Sequence, residues 1–154
     1  MFMRRILLVA SLGSISLASC GGEERGRTPA SMSAGEHSGP PQVLIVEPAD
    51  GDTVVGPAVT VRLQAHGLAI VPAGDTTPNS GHHHLFLDRD LTPAGTPIPT
   101  EPGYIVHLGT GGDTYTFDSV APGPHRLIAV VGDAVHVPLN PWVVDTVHFV
   151  VRAP

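Results

Sequence analysis

Histidine is the residue type in this sequence with the greatest capacity to coordinate a metal ion. The chain contains nine histidines, and neutral imidazole is a good ligand for Zn(II) and Cu(II). Soft Cu(I) sites favour sulfur ligands, yet the single cysteine is Cys20 and no methionine lies beyond Met32. The sequence therefore favours a Cu(II) or Zn(II) site. The histidines of interest are His82, His83, His84, His107 and His136.

Three of these histidines open the run GHHHLFLD at 81–88, which is typical of a buried strand. Side chains of a strand point alternately to its two faces, so His82 and His84 project in parallel from one face. Two parallel imidazoles can bind a single ion. His83 faces the other way, with the leucines of the run, and is predicted to be a packed core residue.

Short apolar runs separated by turn residues make up the chain from residue 42 onward. The 18 glycines and 16 prolines fall between these runs, without helical caps or helical periodicity. We therefore predict an all-β fold, an immunoglobulin-like antiparallel β-sandwich of about seven strands, with a small barrel or jelly roll as the alternative. The predicted strands are 42–47, 58–66, 81–88, 104–108, 113–120, 125–132 and 142–152.

The segment 121–133 (APGPHRLIAVVGD) looks like the beginning of strand F in immunoglobulin-like domains. His125 takes the position of the corner tyrosine in that pattern, which predicts a structural residue. The run 81–88 is then strand C, which lies beside strand F and antiparallel to it. This arrangement brings the start of strand C close to Asp133 and His136.

The strand that ends at His107 is predicted to return beside the run 81–88 as a hairpin partner. His107 would then lie at the same end of the sheet as the other candidates, whereas His125 would lie at the opposite end. The predicted metal ligands, directed to one rim of the sandwich, are His82, His84, His107 and His136. Additional or structural candidates are His83, His125, Asp75, Asp113 and Asp133.

Three ordered motifs, PNSGHHHLFLD, HLGTGGDT and PGPHRLIAVVGDAVHVP, together resemble the bacterial secreted domain-of-unknown-function 4399 family. The resemblance covers nearly all of 43–151. It implies an exported β-domain and brings no established activity. Asp113 stands where the family pattern has glutamine, and Leu139 stands where a second histidine would follow His136. The second departure weakens the case for a four-histidine site.

The first residues read as an export signal with a lipid attachment site. A basic start precedes an apolar run that is too short to span a bilayer, which takes about 20 apolar residues. The ending LASC, followed by two glycines, resembles the bacterial lipobox and implies lipidation of Cys20. We expect a signal peptide at 1–19, a lipidated flexible tether at 20–41 and the β-sandwich at 42–154. The protein would be anchored to the bacterial cell envelope, on its periplasmic face or the cell surface.

Composition excludes several functions. The chain has no lysine, and its formal net charge is -6, so nucleic acid is not an expected partner. The sequence contains no GxSxG, HExxH or phosphate-binding glycine motif, so we expect neither an enzyme nor a nucleotide-binding protein. Two functions remain. One is a metal-binding lipoprotein, and the other is a structural module with structural histidines that contacts another envelope protein or a glycan.

Overall fold

The computed structural model describes residues 39–154, which form strands and turns without an α-helix. The all-β prediction is therefore confirmed. Within that range no helix is long and apolar enough to cross a membrane. The predicted signal peptide at 1–19, the lipidation site at Cys20 and the tether as far as residue 38 lie outside the described residues.

Nine strands are present among the described residues: β1 Gln42–Glu47, β2 Thr53–Val55, β3 Val59–His66, β4 Ala69–Ile70, β5 Ser80–Leu87, β6 Ile105–His107, β7 Thr114–Phe117, β8 Gly123–Gly132 and β9 Val144–Arg152. Seven of them match the predicted strands to within a few residues. The sequence does not predict β2 and β4, which have three and two residues. Strands that short show no alternation by which a pattern could identify them.

The strands form two packed sheets. One has the order β1-β3-β7, and the other has the order β2-β9-β8-β5-β4 with β6 also paired to β5. As predicted, β5 runs antiparallel to β8 and to β6, so β5 and β8 occupy the positions of strands C and F. The two short strands pair in parallel with β9 and β5, so the larger sheet is mixed. The β-sandwich prediction is confirmed.

The main core lies between the two sheets. Along β3, Val59, Val61 and Leu63 are buried while the residues between them are exposed, which is the period-2 pattern of a half-buried strand. Leu85 of β5 and Leu127 of β8 are fully buried in the same core. Burying one such side chain stabilises the fold by roughly 1.5–3 kcal/mol. This layer therefore fixes which face of β5 points inward.

The outer face of the larger sheet carries a second apolar cluster. Phe86 on this face is fully buried and packs in a cluster with Ile98. Ile98 belongs to the connection 88–104 between β5 and β6, which we call the cover loop. The two ends of this loop are joined by Arg89, which donates to both carboxylate oxygens of Glu101 at 2.9 and 2.6 Å. As a result, β5 is buried on both faces.

Candidate metal centre

Three imidazoles reach the site from two paired strands. His82 and His84 lie on the outer face of β5 and are 0% and 1% exposed. His84 is the direct cross-strand partner of His107 on β6, and opposite residues of paired strands share a face. The His84 and His107 rings are stacked, with centroids 4.9 Å apart and planes inclined by 12°. The strand pairing therefore sets the relative position of these ligands.

The fourth imidazole comes from the turn after β8. Gly132, the last residue of β8, pairs with His82 of β5. The chain then turns back, so that Pro138 forms a bridge with Gly132. His136 lies within this turn and has a φ of 67°. The segment 133–138, which we call the His136 turn, thus brings a fourth ring to the outer face of the sheet.

The ring nitrogens of these four histidines converge. The Nε2 atom of His82 lies 3.0 Å from Nε2 of His84 and 3.0 Å from Nδ1 of His136. One nitrogen from each histidine of the set lies within 4.8 Å of all the others. Zn–N bonds of about 2.0–2.1 Å place the nitrogens of a tetrahedral site about 3.3 Å apart. The cluster can therefore hold a metal ion after small side-chain adjustments.

Burial favours the neutral form of His82, His84 and His107. Burial, with a smaller contribution from the neighbouring imidazoles, lowers the pKa of His84 to about 3 and the pKa of His82 to about 4. The pKa of His107 is lowered as well, first by burial and then by His136. Metal ions bind the neutral form of imidazole. These three rings therefore do not need to lose protons before binding an ion at neutral pH.

Two glycines leave room for the rings. A Cβ atom on Gly132 would lie 3.0 Å from Nε2 of His84 and 3.1 Å from its Cδ2. A Cβ atom on Gly109 would lie 2.6 Å from Cε1 and 2.8 Å from Nε2 of His107. Any larger residue at either position would press on a candidate ligand. The glycines therefore form part of the site, although they offer no ligand atom.

Several ring nitrogens are buried without a partner. Nε2 of His107 has no hydrogen-bond partner among residues 39–154, and an unpaired buried polar atom costs about 1–3 kcal/mol. A metal ion would satisfy such an atom, so the residues present fit the group. Within the same range, Nδ1 of His82 and of His84 also lacks a partner. Metal-bound histidines usually hydrogen-bond through the second nitrogen, whereas packing orients these two rings.

The predicted carboxylates lie outside the cluster, which among the described Cys, His, Asp and Glu residues contains only the four histidines. Each carboxylate accepts hydrogen bonds from nearby residues of its own loop. The pairs are Asp75 with Thr77, Asp113 with Thr114, and Asp133 with Val135 and Val137. The site is therefore built from nitrogen donors alone.

The two remaining candidate histidines also lie elsewhere. His83 is 1% exposed on the inner face of β5, and burial lowers its pKa to about 4. His125 lies at the start of β8, away from the His136 turn. Its Nε2 is 2.7 Å from the carbonyl oxygen of Ala121, and its Nδ1 is 2.7 Å from Oδ2 of Asp88. The contact with the upstream backbone is the one that a corner tyrosine makes.

The cluster lies at the end of the larger sheet where β5 begins and β8 ends. The four histidines lie on the outer face of the larger sheet, and two of them are fully buried. Sequence reasoning missed Ile98, which hydrogen-bonds the backbone of His136, and the two glycines that leave room for the rings, Gly109 and Gly132. A signal for the first exists in the sequence, because Ile98 is a large apolar residue between two prolines in the connection 88–104. The glycines carry no comparable signal.

The comparisons with known proteins identify a family. The sequence profile described as a domain of unknown function (DUF4399) matches residues 61–152, which is more than half of the chain. No curated protein matches the chain. One similar solved structure, the 1.98 Å crystal structure of an engineered protein, has a TM-score of 0.41 and 16% identity over 73% of this chain and 20% of that chain. The chain spans about a fifth of that structure, and so low a similarity carries no argument. By the profile match, the chain belongs to the DUF4399 family of domains of unknown function.

Proposed function

We propose that the domain binds one Cu(II) or Zn(II) ion through His82, His84, His107 and His136. The observation that carries the proposal is the convergence of four imidazole nitrogens within 4.8 Å, supplied by three separate segments of the chain. Two of the rings are fully buried. Burial of several polar rings against one another is costly unless their nitrogens are satisfied, and a shared ion would satisfy one nitrogen of each ring at once.

The donor set selects the class of ion. Mg(II) and Ca(II) take oxygen ligands, whereas imidazole suits Zn(II) and Cu(II). Residues 39–154 contain neither cysteine nor methionine, so the domain offers no sulfur for a Cu(I) site. The choice between copper and zinc then depends on geometry, because Cu(II) favours tetragonal and Zn(II) favours tetrahedral coordination.

The number of ligands favours a binding protein over an enzyme. Structural zinc sites use four protein ligands, whereas catalytic sites use three and leave a position open for water or substrate. Four histidines would occupy all four coordination positions of a tetrahedral ion. We therefore propose that the protein sequesters or passes on the ion and catalyses no reaction.

The proposed location is the bacterial cell envelope. The LASC ending of the apolar N-terminal run supports export and lipidation at Cys20. The lipid would hold the protein on the membrane, and another envelope protein is a suitable partner, while nucleic acids and nucleotides are not. If Cys20 carries the anchor, Cys20→Ala should move the protein from the membrane fraction to the soluble fraction, and an unchanged distribution would contradict the proposal.

Metal analysis of the full chain, purified without a polyhistidine tag, tests the proposed function. The protein is incubated with Cu(II) or Zn(II), desalted and analysed for bound metal, and its melting temperature is compared with and without chelator. We expect about one ion per chain and a higher melting temperature, because a ligand that binds only the folded state stabilises it. Bound metal near zero together with an unchanged melting temperature would reject metal binding.

A structural role for the histidines is the second candidate. It is favoured by the contacts among the rings themselves, since Nε2 of His82 lies 3.0 Å from Nε2 of His84 and 3.0 Å from Nδ1 of His136 and can hydrogen-bond to either ring. Such contacts can orient the rings without an ion. This candidate predicts that replacing His82 lowers stability while the protein takes up no metal.

A further inference from the structure

We propose that Asp133 is a positioning residue that aims His136 at the metal site, and that it acts through hydrogen-bond geometry and not through its charge. The inference rests on the proposed function, since it concerns how the same site is built. Asp133 is not a member of the ligand cluster. Its contribution lies in the backbone that carries the fourth ligand.

Asp133 forms hydrogen bonds with His136 and with the residues before and after it in the chain. Its Oδ1 atom accepts hydrogen bonds from the backbone N–H groups of Val135 and Val137, both at 2.9 Å. Its backbone N–H donates to the carbonyl oxygen of Val137 at 2.8 Å, and its carbonyl oxygen accepts from the N–H of His136 at 3.0 Å. Four hydrogen bonds from one residue thus define the His136 turn.

His136 needs this support because of its conformation. Its φ of 67° lies in the left-handed region, which residues other than glycine rarely adopt. Such a conformation persists only where the surrounding structure imposes it, and it is found at ligand-holding positions. A second support comes from the cover loop, where the N–H of Ile98 donates to the carbonyl oxygen of His136 at 2.8 Å.

The other three ligands do not depend on a turn in this way. His82 and His84 lie on β5 and His107 lies on β6, where ladder pairing holds the backbone. His136 alone is carried by a turn, yet its Nδ1 lies 3.0 Å from Nε2 of His82. That short distance requires the backbone of the turn to be fixed. Displacing Oδ1 of Asp133 should therefore move His136 and leave the other three ligands in place.

Two substitutions in the full chain separate geometry from charge. Asp133→Asn keeps an acceptor oxygen at the same distance from the backbone and removes the charge, whereas Asp133→Glu keeps the charge and displaces the oxygen. With Cu(II) as the probe, we expect the affinity of Asp133→Asn to stay within about threefold of the original. The affinity of Asp133→Glu should fall about 10- to 100-fold, the usual effect of losing a residue that orients a ligand.

A double-mutant cycle shows whether Asp133 acts through His136. In a His136→Ala background, Asp133→Glu should cause no further loss of Cu(II) affinity. Electron paramagnetic resonance should report one nitrogen ligand fewer in Asp133→Glu, as in His136→Ala, and no change in Asp133→Asn. The inference is overturned if Asp133→Asn is the weaker binder of the pair, or if Asp133→Glu still lowers affinity when His136 is absent.

A measurement on the metal-free protein tests the positioning role of Asp133 separately from the proposed metal binding. The ¹⁵N resonances of the imidazoles report the hydrogen bond between His82 and His136 in the metal-free protein. This signature should survive in Asp133→Asn and disappear in Asp133→Glu, even if the protein takes up no Cu(II). Absence of both Cu(II) and Zn(II) binding in the original protein would reject the proposed function alone. Retention of the signature in Asp133→Glu would reject the positioning role.

Discussion

The Nε2 atoms of His82 and His84 lie 3.0 Å apart, although the two residues are separated by two positions on one strand. A strand rises about 3.3 Å per residue, so their Cα atoms are roughly 6.6 Å apart. The rings must therefore lean toward each other, and their burial at 0% and 1% exposure keeps them there. One strand thus holds two ligands close together, and an ion would replace the contact between them and the contact of His82 with His136.

Removing one of these two ligands should weaken metal binding. His84→Ala deletes a nitrogen that contacts His82 at 3.0 Å and a ring that stacks on His107. We expect the affinity for Cu(II) or Zn(II) to fall at least about tenfold, because losing a ligand should cost no less than losing a residue that only orients one. Isothermal titration calorimetry on the two proteins measures the difference.

His148→Ala is the matched control for this substitution. The side chain of His148 is 69% exposed and lies on β9, outside the ligand cluster. Its replacement should leave metal affinity unchanged. Equal losses of affinity in His84→Ala and His148→Ala would mean that the protein binds metal through its surface histidines, and the buried cluster would not be the site.

Much of the arrangement of the four histidines can be predicted from the local sequence pattern. Once β5 and β8 are identified as neighbouring antiparallel strands, the alternation of side chains puts His82 and His84 on one face and places the start of β5 beside the His136 turn. The burial of the site cannot be predicted from the sequence pattern in the same way. Ile98 lies in a proline-rich connection without periodicity, and tertiary contacts, such as its packing against Phe86 and its hydrogen bond to His136, determine where that connection lies. The left-handed conformation of His136 likewise depends on contacts made after folding.

The metal-free protein should lose stability in mild acid. Burial lowers the pKa of His82 to about 4 and that of His84 to about 3, whereas unfolded histidine titrates near 6.5. Between about pH 6.5 and pH 4 the unfolded state therefore binds more protons, and the free energy of unfolding falls as the pH is lowered. The complete loss is on the order of 3 kcal/mol for one such ring.

Urea denaturation of the chelator-treated protein between pH 7 and pH 4 measures this dependence. His84→Ala removes one titrating group, so its free energy of unfolding should fall less steeply with decreasing pH. His148→Ala should keep the original slope. A free energy of unfolding that is constant across the range would show that the rings accept protons in the folded state as readily as in the unfolded one.

Gly132→Ala should damage the site without removing a ligand. The new Cβ atom would lie 3.0 Å from Nε2 of His84, a ring that is 1% exposed. Overpacking of this kind typically costs about 1–3 kcal/mol of stability. Metal affinity should also fall, by about tenfold or more, because binding sites tolerate ligand shifts of only about 0.5 Å. Thermal melting and metal titration of the same samples report the two effects.

Gly112→Ala is the control for Gly132→Ala. A Cβ atom there meets only Oγ1 of Thr110, at 3.8 Å, which is ordinary van der Waals contact. We expect unchanged metal affinity, and stability that is unchanged or higher by about 0.4–1 kcal/mol, since alanine lowers the entropy of the unfolded chain. If both glycine variants bind metal as tightly as the original protein, the space beside His84 is not part of the site.

Ile98 should determine how well the cover loop seals the site. Its side chain is 6% exposed in the cluster with Phe86, so Ile98→Ala should destabilise the fold by about 2–4 kcal/mol, and Ile98→Val by about 0.5–1.5 kcal/mol. Both variants keep the backbone hydrogen bond from residue 98 to His136 and therefore isolate the effect of side-chain packing. Urea denaturation measures the stability, and a chelator competition measures the rate of metal release, which should rise more in Ile98→Ala than in Ile98→Val. Stability and release rate equal to those of the original protein in both variants would show that Ile98 does not hold the loop over the histidines.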